Sequence, residues 1–64
     1  MDEKLLYRVE EAGHFLNMGR STVFQEMAAG RLKSVRIGKS RRISRAALEE
    51  YVAQLEQNAA AAAS

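Results

Sequence analysis

The chain has 64 residues and a formal net charge of +2, so it is long enough for one small domain and its overall charge excludes little. It contains no cysteine and a single histidine, His14, which excludes disulfides, metal sites built on Cys or His clusters, and a His-based nucleophilic centre. No apolar run approaches the roughly 18–20 residues of a membrane span, and the polar N-terminus lacks the order of a signal peptide, so we expect a cytoplasmic protein.

The basic residues are concentrated in one segment, Arg31–Arg45. This segment carries seven of the ten lysines and arginines and none of the eight acids. Cations at this density repel one another unless a partner neutralises them, so the segment predicts a positive face suited to a polyanion. The alternative that composition leaves open is a solvated basic loop.

The first predicted element is a helix over Val9–Leu16. Apolar residues recur there at helical spacing, and two acids stand in the first turn, where the helix dipole favours negative charge. The next three residues, 17–19, interrupt the pattern and include a glycine, which indicates a tight turn.

A second helix is predicted over about Arg20–Ala29, followed by Gly30, the residue type preferred in a left-handed conformation after a helix. Val23 and Met27 form its expected buried pair. A helix, a short turn containing glycine and a second helix make up the supersecondary unit that many proteins use to bind DNA.

The pattern then changes to that of strands. Val35, Ile37 and Ile43 alternate with polar residues, and the turn Gly38–Arg41 lies between them, which predicts a two-stranded hairpin. Because two strands alone are marginally stable in water, we expect this hairpin to pack on the helices through these three apolar residues.

A third helix is predicted over about Arg45–Gln57. Ser44 is a suitable N-cap, and Leu48, Val52 and Leu55 form an apolar stripe. The predicted fold is therefore mainly α with a small β-hairpin: a winged helix-turn-helix of three helices and a two-stranded wing.

The chain is divided into a DNA-binding domain, residues 1–57, and an alanine-rich C-terminal tail, residues 58–64. Alanine is the best helix former, so the tail can extend the third helix. It can equally be frayed or be an artificial extension, and no function is assigned to it.

The exposed face of the second helix carries residues that suit contact with double-stranded DNA. Arg20 can bond guanine and Gln25 can bond adenine in bidentate fashion. Ser21 and Thr22 lie in the first turn, where hydroxyls and backbone N–H groups meet phosphate. Phe24 has two interpretations, contact with a thymine methyl group or packing into the core.

The hairpin tip forms the second predicted contact. Lys39, Ser40, Arg41 and Arg42 stand on a narrow element that can follow the phosphates or insert an arginine into a minor groove. Helix and hairpin together make on the order of 5–8 phosphate contacts, so binding should weaken by orders of magnitude as salt rises.

Other residues receive structural interpretations. Phe15, Met18 and Met27 are spaced as core residues. Glu49 and Glu50 point in different directions from a helix, so they predict a solvated face and not a catalytic pair. With no nucleophile–base pair or metal set, we expect no enzyme activity, no cofactor, no metal and no small-molecule substrate.

The order and spacing of these residues resemble excisionase-type domains of the winged-helix branch related to the mercury-resistance regulator (MerR) superfamily. The similarity covers about residues 5–55 and is carried by the segments 6–12, 15–16, 19–24, 35–38, 41–43 and 47–51. Gly13 departs from the pattern, since members usually carry alanine or a longer residue there, and it costs the helix about 1 kcal/mol.

The resemblance implies a phage or integrative-element recombination directionality factor. Such a protein binds repeated attachment sites in DNA, bends them, associates with itself on DNA and helps an integrase to excise the element. Carried over by position, the helix contacts fall on Arg20, Ser21, Thr22, Phe24 and Gln25, and the wing contacts on Arg36, Lys39, Ser40, Arg41 and Arg42.

Two other functions remain open from the sequence. The first is a small prophage or plasmid transcriptional regulator with the same fold, which needs the same DNA contacts. The second is a protein-interaction module that docks through the acidic third helix and the basic hairpin, for which DNA binding would be weak and insensitive to salt.

Overall fold

The computed structural model describes residues 4–63, without the side chain of Ala63. The polar N-terminal residues 1–3 and Ser64 at the end of the predicted tail lie outside the described residues. The elements follow in the order β1 (Leu6–Arg8), α1 (Val9–Leu16), α2 (Arg20–Ala28), β2 (Val35–Ile37), β3 (Ser40–Ser44) and α3 (Arg45–Ala63).

The predicted winged helix-turn-helix is confirmed, since the described chain contains three helices and an antiparallel hairpin. α1 has the predicted bounds, and α2 ends one residue earlier than expected. α3 continues through the alanine-rich segment to Ala63, so alanine's helix propensity prevails there. The hairpin turn is shorter than predicted, because Ser40 and Arg41 already belong to β3.

The turn between α1 and α2 depends on a close approach at Gly13. A Cβ atom at this position would lie 2.9 Å from the Met18 carbonyl oxygen and 3.2 Å from Cγ2 of Val23. The Met18 N–H donates to the Gly13 carbonyl at 2.8 Å, and Asn17 turns the chain with a φ of 56°. Gly13 therefore costs helix propensity but permits the tight crossing of the two helices.

The sheet has three strands in the order β1-β3-β2, one more than predicted. β1 pairs antiparallel with β3, and Tyr7 lies opposite Ile43. Both side chains are essentially fully buried. The strand was missed because three residues are too few to show an alternating pattern.

The prediction that Val35 and Ile37 pack on the helices is wrong. Val35 lies opposite Arg42 and Ile37 opposite Ser40, so both apolar side chains share a face with polar ones. Side chains alternate along β3, which places Ile43 on the other face, toward the helices. Val35 and Ile37 are consequently about half exposed, and Ile43 alone of the three apolar residues anchors the hairpin.

The core is formed by residues from every element except β2 and by one residue of the loop that precedes it. The buried side chains are Tyr7, Val9, Ala12, Val23, Met27, Leu32, Ile43, Leu48 and Tyr51. Tyr7 and Leu32 were not predicted as core, since Tyr7 ends a run of only three apolar residues and Leu32 stands between two basic residues. Met18 is partly buried against this core, as expected.

Three other predicted core positions are exposed. Phe15 is 47% exposed and meets Tyr7 edge-on, with ring centroids 5.2 Å apart. Val52 and Leu55 of α3 are 40% and 47% exposed. α3 contacts the body along its first turns, so the predicted apolar stripe is buried only at Leu48, with Tyr51 beside it.

Ser44 caps α3 as predicted, since its Oγ accepts the Ala47 N–H at 3.0 Å. The Arg45 N–H donates to the Leu5 carbonyl at 2.9 Å. These two hydrogen bonds therefore fix the first turn of α3 to the end of β3 and to the residue that precedes β1.

A charged network around Glu26 fixes the C-terminal end of α2 against α3. Arg31 binds the Glu26 carboxylate with two hydrogen bonds of 2.9 and 2.7 Å, and the Tyr51 hydroxyl donates to it at 2.9 Å. The Glu26 side chain is only 15% exposed. Arg31, followed by Tyr51, lowers the Glu26 pKa from 4.5 to about 2. Burial and then the Glu26 carboxylate raise the pKa of Tyr51.

The first testable prediction concerns the close approach at Gly13. Gly13→Ala should lower the free energy of unfolding by about 1–2 kcal/mol, because overpacking outweighs the gain in helix propensity. Gly19→Ser is the matched variant, since a Cβ there meets nothing within 4 Å and serine is a good N-cap. It should leave stability unchanged or raise it slightly. Urea denaturation measures both; a more stable Gly13→Ala protein would contradict the packing argument.

The second prediction concerns the decrease in the free energy of unfolding at acid pH. Because the folded-state pKa of Glu26 is about 2 and its ordinary value is 4.5, its contribution is present above pH 4.5 and is lost as the pH falls toward 2. The stability difference between wild type and Glu26→Gln should therefore shrink across this range, in denaturant titrations at several pH values. Glu49→Gln is the control at an exposed carboxylate. A difference that stays constant with pH would be inconsistent with the network.

Candidate nucleic-acid interface

An open cleft of ≈ 430 Å³ separates α2 from the hairpin formed by β2 and β3. Its lining is mainly basic and polar. The lining residues are Arg8, Val9, Glu10, Arg20, Phe24, Lys39, Ser40, Arg41 and Arg42. The cleft thus joins the start of α1, one face of α2 and the hairpin tip.

The structure brings together six of the ten residues that the sequence predicts as DNA contacts. These are Arg20, Phe24, Lys39, Ser40, Arg41 and Arg42. The other four do not line the cleft: Ser21, Thr22 and Gln25 are exposed on α2, and Arg36 is exposed on β2. Sequence reasoning missed Arg8 and Glu10 as members of this surface.

α2 presents its N-terminal turn without a side-chain cap. Gly19 stands at the N-cap with extended backbone, φ −68° and ψ 159°, and offers no side chain to the first-turn amides. Backbone N–H groups at a helix N-terminus, together with the helix dipole, suit an anion such as phosphate.

Phe24 lies at the edge of the cleft and not in the core, being 42% exposed. The Arg20 guanidinium carbon lies 5.4 Å from the centre of its ring, within the range of a cation–π contact. Arg20 also lies 3.7 Å from a Glu10 carboxylate oxygen. The arginine therefore lies near a ring and a carboxylate, both of which belong to the cleft.

The hairpin tip is shaped by its own backbone and polar side chains. Gly38 has a φ of 61°, which suits glycine, and its carbonyl accepts a hydrogen bond from Arg36 Nε at 3.3 Å. Arg41 reaches the Ser34 hydroxyl at 3.2 Å. These exposed contacts orient Arg36 and Arg41 but do not neutralise their charge.

Arg8, like Arg20, is a basic residue of the cleft that lies outside the Arg31–Arg45 segment. It lies directly opposite Arg42 in the β1–β3 ladder. Like charges at opposed positions destabilise a sheet, and an anion bound between them removes that cost. No local pattern could have identified Arg8, because its position depends on strand pairing between distant parts of the chain.

The backbone at Arg8 is held by Glu11, whose carboxylate accepts the Arg8 N–H at 2.9 Å. The other oxygen of this carboxylate is 2.6 Å from Lys4 Nζ. The hydrogen bond from Lys4, followed by that from Arg8, lowers the pKa of Glu11. Glu11 therefore stays ionised at neutral pH and stabilises the first turn of α1.

The basic segment is not uniformly available to a partner. Arg31, Lys33 and Arg45 form ion pairs with acids of α2 and α3, namely Glu26, Glu50 and Glu49. Within residues 4–63, five cations form no ion pair, and all lie on the sheet or its turn: Arg8, Arg36, Lys39, Arg41 and Arg42. The expected positive face is therefore narrower than the charge count indicates, and it coincides with the cleft and the wing.

In the part of the chain that the structure describes, no helix combines the length and apolar character needed to cross a membrane. The same residues contain no cluster of three or more acidic or histidine side chains arranged to hold a metal ion.

Comparisons with known proteins agree with this architecture. A curated protein named "Probable excisionase", from Saccharopolyspora erythraea, is 42% identical over 62 residues, which cover 94% of this chain and 63% of that protein. The chain thus spans less than two thirds of its relative. No solved structure matches significantly. Residues 6–56, which include all the strands and most of α3, match the family described as "Helix-turn-helix domain". The chain belongs to this helix-turn-helix family.

Proposed function

We propose that the protein is an excisionase that binds repeated sites in attachment DNA, bends the DNA and promotes its excision by an integrase. The observation that carries this proposal is the cleft, where the exposed face of α2 adjoins cations that form no ion pair within residues 4–63. The similarity to a probable excisionase supports the choice among DNA-binding functions.

In the proposed complex α2 enters the major groove, which is wide enough to admit a helix. The hairpin then lies beside it, against the backbone or in the adjacent minor groove. Lys39, Arg41 and Arg42 contact phosphates from the hairpin side, and Arg8 adds a contact from β1. The uncapped first turn of α2 supplies further phosphate contacts through its amides and through Ser21 and Thr22.

Base reading is assigned to α2. Arg20 suits guanine and Gln25 suits adenine, each through paired hydrogen bonds. Phe24 has a half-exposed ring at the edge of the cleft that can contact a thymine methyl group. The wing residues, including Arg36 and Ser40, then contribute affinity and orientation more than sequence discrimination.

In this proposed function the protein catalyses no reaction and needs no cofactor. It acts by bending the DNA, and the contacts that it makes in two neighbouring grooves offset the free energy of bending the duplex. Several copies associate on adjacent repeats, and an integrase performs the strand exchange. These partners belong to the proposal and rest on the similarity to the excisionase.

The third prediction separates the wing from the rest of the basic segment. Changing both Arg41 and Arg42 to alanine should weaken binding to every duplex and reduce the slope of log affinity against log salt by about 2. The control is the pair Lys33→Ala and Arg45→Ala, which removes the same charge from residues already paired with acids.

Fluorescence anisotropy at four salt concentrations measures both proteins. The control pair should retain most of the affinity and of the salt slope. Equal losses in the two double variants would show that net charge, and not the cleft, governs binding.

The fourth prediction tests the excisionase assignment itself. In a reconstituted reaction with the integrase of the same element, the wild-type protein should increase excision of a supercoiled attachment-site substrate. It should also increase resonance energy transfer between fluorescent dyes at the two ends of a short attachment duplex, because the ends approach each other when the DNA bends.

The protein with both Arg41→Ala and Arg42→Ala is the negative control in both assays and should give a much smaller increase. Tight, sequence-specific DNA binding with no change in excision would contradict the assignment and favour a transcriptional regulator of the same fold.

A further inference from the structure

Among the described residues that line the cleft, Glu10 alone is acidic. Its side chain is 59% exposed and lines the space where the proposed function places DNA. An acid at this point opposes the phosphate backbone electrostatically. Its presence in a surface that otherwise attracts phosphate therefore requires a reason of its own.

The contacts of Glu10 suggest that reason. Its Oε1 lies 3.7 Å from an Arg20 terminal nitrogen, while the Arg20 guanidinium carbon lies 5.4 Å from the Phe24 ring centre. Glu10 itself stands in the first turn of α1, whose backbone is held by the hydrogen bond from Arg8 to Glu11. The carboxylate is thus attached to a fixed element, and Arg20 lies close to both the carboxylate and the ring.

We infer that Glu10 is a specificity-determining residue: it holds Arg20 toward the base edges and opposes phosphate contact at the same place. This inference rests on the proposed DNA-binding function. Guanidinium has five N–H groups in a fixed fork, so Arg20 can keep one toward Glu10 while two others bond a guanine. Without the carboxylate, Arg20 turns to the nearest phosphate, which every sequence offers.

The consequence is a trade between affinity and discrimination. Glu10 lowers affinity for DNA of any sequence, because a fixed negative charge lies close to the backbone. It raises the ratio of specific to non-specific affinity, because the arginine that reads a base is prevented from serving as a general phosphate contact.

The test compares Glu10→Gln with Glu49→Gln, which makes the same change of charge outside the cleft. Glu49 is also exposed and also close to an arginine, 3.6 Å from Arg45 Nε, so the pair is well matched. A duplex library with a randomised central segment is first selected with the wild-type protein. The selected duplex and a scrambled duplex of equal composition are then titrated with each protein, and urea denaturation checks that all are folded.

Glu10→Gln should bind the scrambled duplex about threefold more tightly, with a salt slope steeper by about 0.9, the value for one added phosphate contact. Its ratio of selected to scrambled affinity should fall about fivefold or more, as expected when one bidentate base contact is weakened. Glu49→Gln should keep the wild-type ratio and slope.

An unchanged ratio, or an equal loss on both duplexes by a folded Glu10→Gln protein, would overturn the inference. So would the same behaviour from both variants, since that would indicate a general charge effect. If the wild-type protein enriches no sequence and binds without salt dependence, the proposed function fails, and this outcome is distinct from the preceding ones.

Discussion

Strand β3 is the element on which the rest of the structure depends, because it must serve the core and the charged surface at once. It is the middle strand of the sheet, and its buried residue Ile43 pairs with Tyr7 of β1. Alternation then turns Arg42 to the opposite face, directly across from Arg8. Arg41 shares the face of Ile43, so the register that fixes the core also fixes which cation of β3 lies on each face of the sheet.

The acids of the chain complete this arrangement by dividing the cations into two groups. Acids of α2 and α3 pair with Arg31, Lys33 and Arg45, which stabilises the body and removes these residues from the surface offered to a polyanion. Exposed ion pairs of this kind each contribute little to stability. The pair between Arg31 and Glu26 differs, because the Glu26 side chain is largely buried and also accepts a hydrogen bond from Tyr51. The cations left without an acid among residues 4–63 lie together on the sheet and its turn, so the field of the protein is concentrated there.

The sequence predicted the helices, the hairpin and most of the cleft because these features follow from local periodicity, capping and charge. It did not predict the features that depend on strand pairing between distant segments of the chain. Whether Val35 is buried depends on the register with β3, and the role of Arg8 depends on a strand too short to be recognised. Gly13 was counted as a weakness because the Met18 carbonyl that approaches it belongs to the turn geometry and not to the helix.

The central claim is that DNA occupies the cleft between α2 and the wing. The most direct measurement is a titration of the isotopically labelled protein with a duplex, followed by amide and arginine side-chain NMR signals. Changes are predicted at residues 20–25, at the hairpin tip and at Arg8, with little effect on the ion pair between Arg45 and Glu49. Changes centred on α3, with the cleft signals unaltered, would contradict the account.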